Sequence, residues 1–250
     1  MKEKSMSKPI SIRDKCEQLL TPKDTLDMSI FDKNNKIYPH IKQALLDYTK
    51  FIISKTVDII PGLKIEDICL SDSLSSYFYD DKSVINVRIL VKNENCDFIT
   101  KNDNNLTRFL AYIKSVVIMN QKFTVNKRFV NVNFTTHNIK FLGTYSLLSD
   151  KWLNSPSKEV TATLNVDDMM NEYTEKFHAI KEHLSLITQS GEILTLKGVK
   201  NLERYYEDLL ITAESSIKEY LIYQMLKYSG IITEMNKTFS QNLKRCLSIE

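Results

Sequence analysis

The chain has 250 residues, 42% hydrophobic and 26% charged, which is enough for one large domain or two small ones with a genuine core and excludes disorder over the whole length. Lys plus Arg number 34 against 31 Asp plus Glu, a formal charge of +3, well short of the basic excess of a non-specific nucleic-acid binder, although a local patch stays open. The four cysteines, Cys16, Cys69, Cys96 and Cys246, form no Cys-x-x-Cys pair, so neither a zinc knuckle nor a redox motif is read from them and packed, reduced thiols are expected.

Met1 to Pro9 is polar and charged with no apolar stretch behind it, so no signal peptide is expected, and no run approaches the roughly 20 apolar residues of a membrane span. Ile10, Ile12, Cys16, Leu19 and Leu20 follow a helical face and predict a short helix. From Tyr38 the apolar positions Ile41, Leu45, Leu46, Tyr48, Phe51 and Ile52 continue to Ile59. Pro39 falls in the first turn, where its missing amide hydrogen costs nothing, and Pro61-Gly62 is the expected stop of this long amphipathic helix. The period then changes. Ile65 to Leu70 is a short apolar run, Ser71 to Ser76 is small and polar, and Ser83 to Val91 alternates with Ile85, Val87, Ile89 and Val91 on one face, predicting strand, tight polar turn, strand.

Leu106 to Met119 returns to helical spacing, and Phe129 to Phe134 alternates again with Val130, Val132 and Phe134 together. A helix packed on a mixed sheet follows. After Tyr145-Ser146-Leu147 the strand pattern fades. Helices are predicted over Asp167 to Ile187, Leu196 to Ile211 and Glu214 to Tyr228, the last closed by Gly230, with a short final helix from Thr238 to Leu247. The expected divisions are an amino-terminal arm or helix over 1–35, an α/β domain over 36–156 and a helical domain over 157–250.

The most informative stretch runs from Leu70 to Val91: Ser73 after the first strand, Tyr77 and Tyr79 in the turn, then Ser83, Ile85 and Val87 framing the second strand. It resembles the active-site hairpin of the polymerase-β-like nucleotidyltransferase fold, in the form carried by phage-encoded predicted nucleotidyltransferases. Gly143-Thr144-Tyr145-Ser146 running on to Trp152-Leu153 and Pro156, and Glu219 to Tyr223 followed by Gly230-Ile231-Ile232, are similar to two further segments of those proteins. The resemblance covers about Tyr38 to Met235. It implies an α+β fold, with a nucleotidyltransferase core of helix plus mixed sheet followed by an all-helical carboxy-terminal part. The Lys-, Asn- and Ile-rich composition suggests an AT-rich coding sequence, as in a phage, an endosymbiont or a low-GC bacterium.

In that family an Asp-x-Asp on the second strand and a third carboxylate on a neighbouring strand hold two divalent cations. Here the Asp-x-Asp positions are Val84 and Asn86, the third carboxylate falls on Asn131 with Asn133 as the nearby alternative, and the Gly of the Gly-Ser turn is Asp72. Magnesium is held by anionic oxygens, for which an Asn carbonyl is a poor substitute. Period two puts Arg88 beside the former metal position, where a fixed cation opposes a divalent metal but suits a phosphate or a partner's carboxylate. Asn86 and Asn131 are expected to face one another as an amide pair. Asp80 and Asp81 read as turn residues, with a displaced metal site from Asp72, Asp80 or Asp81 as the alternative.

The remaining candidates are weaker. His178 and His183 do not share a helix face, His40 opens a helix, and His137 sits in a loop, so no zinc pair or nucleophilic triad is formed. Lys197, Lys200 and Arg204, and Lys122, Lys127 and Arg128, read as solvated stripes. Tyr205, Tyr206, Tyr220, Tyr223 and Tyr228 read as packing residues, and Trp152 as an anchor between the two halves.

The sequence therefore predicts a catalytically inactive nucleotidyltransferase-like phage protein, a structural or binding module such as a virion ring, connector or assembly component. No catalytic residue, metal or cofactor is expected, and the degenerate positions are Asp72, Ser73, Val84, Asn86 and Asn131. Protein partners or self-association are expected. Nucleotide or nucleic acid through Arg88 stays open, and so does an active metal-dependent enzyme. The expected location is the host cytoplasm or the virion, with no membrane segment.

Overall fold

The computed structural model describes residues 10–57, 63–92, 103–118, 122–136, 142–189 and 192–247. The fold is α+β, with a mixed six-stranded sheet and a helical carboxy-terminal part. The chain divides into two compact units, Pro22–Val160 and the pair Met1–Thr21 with Thr161–Glu250. The 1–35 segment is thus shared between them, its helix going with the carboxy-terminal helices and its residues from Pro22 going with the sheet.

The first helix, α1 (Ile12–Leu20), belongs to the other unit, and the first helix of the sheet unit is α2 (Pro39–Val57), with Ile41, Leu45 and Ile52 buried along one side. Its Thr49 and Thr56 are also buried, and their hydroxyls donate to the carbonyls of Leu45 and Ile52 one turn back, so neither burial leaves a polar group bare. Then come β1 (Lys64–Ser71), β2 (Ile85–Lys92), α3 (Asp103–Ile118), β3 (Thr124–Val125), β4 (Arg128–Thr135), β5 (Thr144–Ser146) and β6 (Lys151–Asn154), in the spatial order β3-β4-β2-β1-β5-β6. β1 and β2 are antiparallel, whereas β2 and β4 are parallel, a pairing that requires a crossover, and α3 lies within that connection. Ile85, Val87, Ile89 and Val91 are all buried, as their alternation predicts, in one core with Leu106, Leu110 and Ile113 of α3 and Leu45 and Ile52 of α2.

Three strands depart from the sequence pattern. β5 and β6 continue the sheet where the alternation fades, because both are too short to show a period. β3 pairs with β4 through a two-residue turn in which Asn126 and Lys127 both have positive φ, 47° and 65°, the geometry that suits the twist of a hairpin. The β1–β2 connection is also no tight turn. It runs from Asp72 to Val84 and contains a one-turn 3-10 helix, Ser73–Ser75.

Arg128 does not lie on a solvated stripe. Its guanidinium pairs with buried Asp27 at 2.5 Å and donates to the carbonyls of Asp80 and Ser83 at 3.0 and 2.9 Å, so it pins the β1–β2 connection to the segment before α2. Trp152, predicted as an anchor between halves, makes its described contacts inside the sheet unit. It stacks on Phe31 at 5.4 Å, meets Tyr145 edge-on, and donates Nε1–H to the Asn35 carbonyl.

The helical unit consists of α1 (Ile12–Leu20), α4 (Val166–Gln189), α5 (Glu192–Ala213), α6 (Ile217–Tyr228) and α7 (Ile231–Leu247). A capping box of Ser11 and Asp14 starts α1, and Arg13 reaches Asp167 at 2.7 Å. Gly230, at φ 84°, separates α6 from α7 as its type predicts, but α7 begins directly after it and not at Thr238, with Ile231, Ile232 and Met235 buried. Lys197, Lys200 and Arg204 are exposed, whereas Tyr220 is buried and the Tyr206 and Tyr223 hydroxyls meet at 3.4 Å. Pro61-Gly62, Cys96 and His137 lie outside the described residues, as does the side chain of Cys246. Among the described residues no helix is long and apolar enough to cross a membrane.

Gly143, just before β5, lies where the backbone of another segment approaches closely. A Cβ there would stand 2.0 Å from the Ser75 carbonyl oxygen and 2.9 Å from the Trp152 ring, and the Ser75 hydroxyl donates to both the Gly143 and Asp72 carbonyls. Gly143→Ala is therefore expected to lower unfolding stability in urea by at least the roughly 1–3 kcal/mol of an overpacked core. A change of a few tenths would show that the turn yields freely.

Candidate functional site

β1, β2 and β4 pair so that Ser71, Asn86 and Asn131 form one cross-strand row, with Cys69, Arg88 and Asn133 two register positions along. Because the side-chain period is two, these residues share the face opposite Ile85, Val87 and Ile89. The expected amide pair is formed, with Asn131 Nδ2 donating to Asn86 Oδ1 at 3.0 Å. Asn131 is exposed and Asn86 half-buried, so this row opens to solvent. Val84 precedes β2 and does not join the strand.

Arg88 lies deeper, only 8% exposed. Its Nε donates to Ser71 Oγ at 3.0 Å and its Nη2 lies 3.6 Å from Asp72 Oδ1. Asp72, also buried, has φ 69° and ψ −151°, a region essentially reserved for glycine and costing of order 1–3 kcal/mol for other residues. The position that the resemblance assigns to a glycine therefore keeps a glycine's backbone while carrying a carboxylate that faces Arg88.

Ser73 opens the 3-10 turn, and its carbonyl accepts from the Ser76 hydroxyl at 2.7 Å. Asp80 is a turn residue, its Oδ1 accepting from the Lys82 amide and the Ser83 hydroxyl, and Asp81 is exposed. Among the described residues no three His, Cys, Asp or Glu side chains stand close enough to hold a metal ion. The groups at the positions that the resemblance assigns to metal-binding acids do not fit a divalent cation: two amides already bonded to one another, an aliphatic side chain outside the strand, and a guanidinium two register positions away.

Two contributors are not visible in the sequence pattern. Ser71 reads as the start of the polar turn, yet it ends β1 and is the hydroxyl that orients Arg88. Lys114 lies among the apolar positions of α3, but its Nζ donates to Asn133 Oδ1 and to the Val132 carbonyl, each at 2.8 Å, and burial lowers its pKa. Cys69, beside Arg88, has its thiol pushed up to about 12 by burial and by neighbouring Asp67, which makes it unreactive.

No family model and no curated protein matches the chain. Among solved structures it is similar to the STING-associated CdnE c-di-GMP synthase from Capnocytophaga granulosa, at 12% identity and a TM-score of 0.25, over 93% of this chain and 100% of that one. At that score the two share only a loose likeness.

Arg88→Met would remove the guanidinium that faces the buried Asp72 carboxylate, and the expected cost is on the order of 3 kcal/mol in urea unfolding. Adding Asp72→Gly removes the buried carboxylate and the backbone strain together, so the double variant should recover a large part of that loss. A double variant less stable than Arg88→Met would show that Asp72 is held by something other than Arg88.

Proposed function

We propose that this chain is a nucleotidyltransferase-like module that works by binding and does not catalyse nucleotide transfer. The observation carrying this reading is the Asn131–Asn86 hydrogen bond at 3.0 Å, next to a buried arginine, at the positions where the resemblance calls for metal-binding acids. Phosphoryl-transfer chemistry of this type depends on metal ions to neutralise developing charge and align the attacking oxygen. Two mutually satisfied amides supply no anionic oxygen for such ions, and the Arg88 guanidinium repels them. Incubation with labelled nucleoside triphosphates and magnesium or manganese should leave no nucleotide on any acceptor and release no pyrophosphate. Metal-dependent release that is abolished by Asp81→Ala would establish an active, displaced site.

A role in assembly is favoured by a separate feature. Phe109, Tyr112 and Val116 are 40%, 68% and 49% exposed and recur at i, i+3 and i+7 on α3, so they form an apolar stripe on its surface. Self-association through it should appear in sedimentation velocity as a species larger than the 29.1 kDa chain that Tyr112→Lys converts to monomer. A monomer at all concentrations would remove self-association from the reading.

A further inference from the structure

Among the described residues, Lys114 has no ionic partner. Its two acceptors, Asn133 Oδ1 and the Val132 carbonyl, are both neutral, and among the described residues no carboxylate reaches it. Removing an ammonium from water is costly unless a counter-charge or a full set of acceptors replaces the water. Here two of its three N–H donors are satisfied and the counter-charge is missing among the described residues. The lowered pKa of Lys114, caused by burial, expresses the same imbalance.

The groups around it are donors. Asn133 turns its oxygen to Lys114, which directs its NH2 group elsewhere, and Asn131 spends one N–H on Asn86 and keeps a second. Asn131 and Asn133 are same-face neighbours on β4, about 6.6 Å apart along the strand. Asn131 is exposed and Asn133 half-buried, so the row is reached from solvent. Arg88 occupies the register position beside Asn133, its charge partly offset by Asp72.

We propose that Lys114, Asn133 and Asn131 form a metal-independent binding site for a phosphate-bearing anion with two or more linked phosphoryl groups. The ammonium supplies the missing half of an ion pair, and the amide N–H groups of Asn133 and Asn131 donate to further phosphate oxygens. The spacing of the two amides suits a chain of phosphoryl groups better than a single one. This inference rests on the non-catalytic reading above, since fixed cations take the part that bridging metal ions play in an active enzyme. Arg88, held by Ser71, contributes field and no direct contact.

The test is calorimetric titration of the full chain with inorganic triphosphate and with ATP, each in EDTA. Both should bind, and Lys114→Met and Asn133→Asp should each weaken binding at least tenfold, while Lys50→Met, at an exposed site on α2, leaves it unchanged. Asn133→Asp places a carboxylate beside the ammonium, so it should keep or raise the melting temperature, and its loss of binding is then not a loss of fold. ATP binding without triphosphate binding would overturn recognition through the phosphate chain. Absence of binding in EDTA, or binding indifferent to both variants, would overturn the site and leave the non-catalytic reading standing. Binding that appears only with magnesium and is followed by pyrophosphate release would overturn both.

Discussion

The parallel, in-register pairing of β2 with β4 constrains everything else in the sheet unit. Parallel strands cannot be joined by a hairpin, so a crossover is required, and α3 lies within it with Leu106, Leu110 and Ile113 in the same core as Ile85, Val87 and Ile89. The same register sets Asn86 against Asn131 and Arg88 against Asn133 on the opposite face. A slip of one residue along β4 would expose Val132 and Phe134 and bury the asparagines, so hydrophobic burial and the polar row enforce one another.

On the polar face, charge is handled by pairing where it is deep and by amides where it is open. Arg88 and Asp72 are both buried, and their proximity offsets part of what each would lose alone, with Ser71 fixing the guanidinium through Nε. Asp72 adopts a backbone conformation that glycine would take without strain, so the pairing is maintained against a conformational cost. Arg128 and Asp27 repeat the device at the far end of the β1–β2 connection, where one guanidinium also collects the Asp80 and Ser83 carbonyls. Lys114 is the exception, an ammonium on neutral acceptors, and for that reason it is where a ligand's charge would be felt most.

Much of this was legible in the residue order. The helix from Pro39, the alternation of Ile85 to Val91 and the helical carboxy-terminal part all appear as long apolar periods, whereas the Asn86–Asn131 pair is what the resemblance implies for two neighbouring strands. The short strands were not legible. β3, β5 and β6 owe their place to neighbours: a turn of Asn126 and Lys127, the Gly143 approach to Ser75, and the packing of Trp152 on Phe31. Two to four residues carry too little period to distinguish strand from loop.

The sequence by itself determined the α+β class, the face of β2 that enters the core, and the absence of carboxylates at Val84, Asn86 and Asn131, because each depends only on residue type and local period. Tertiary structure alone decided that Arg128 is a clamp and not a solvated residue, that Arg88 is buried against Ser71 and Asp72, and that Lys114 turns to Asn133. A charged side chain's role depends on the dielectric and the partners that distant segments bring to it, and local sequence contains neither.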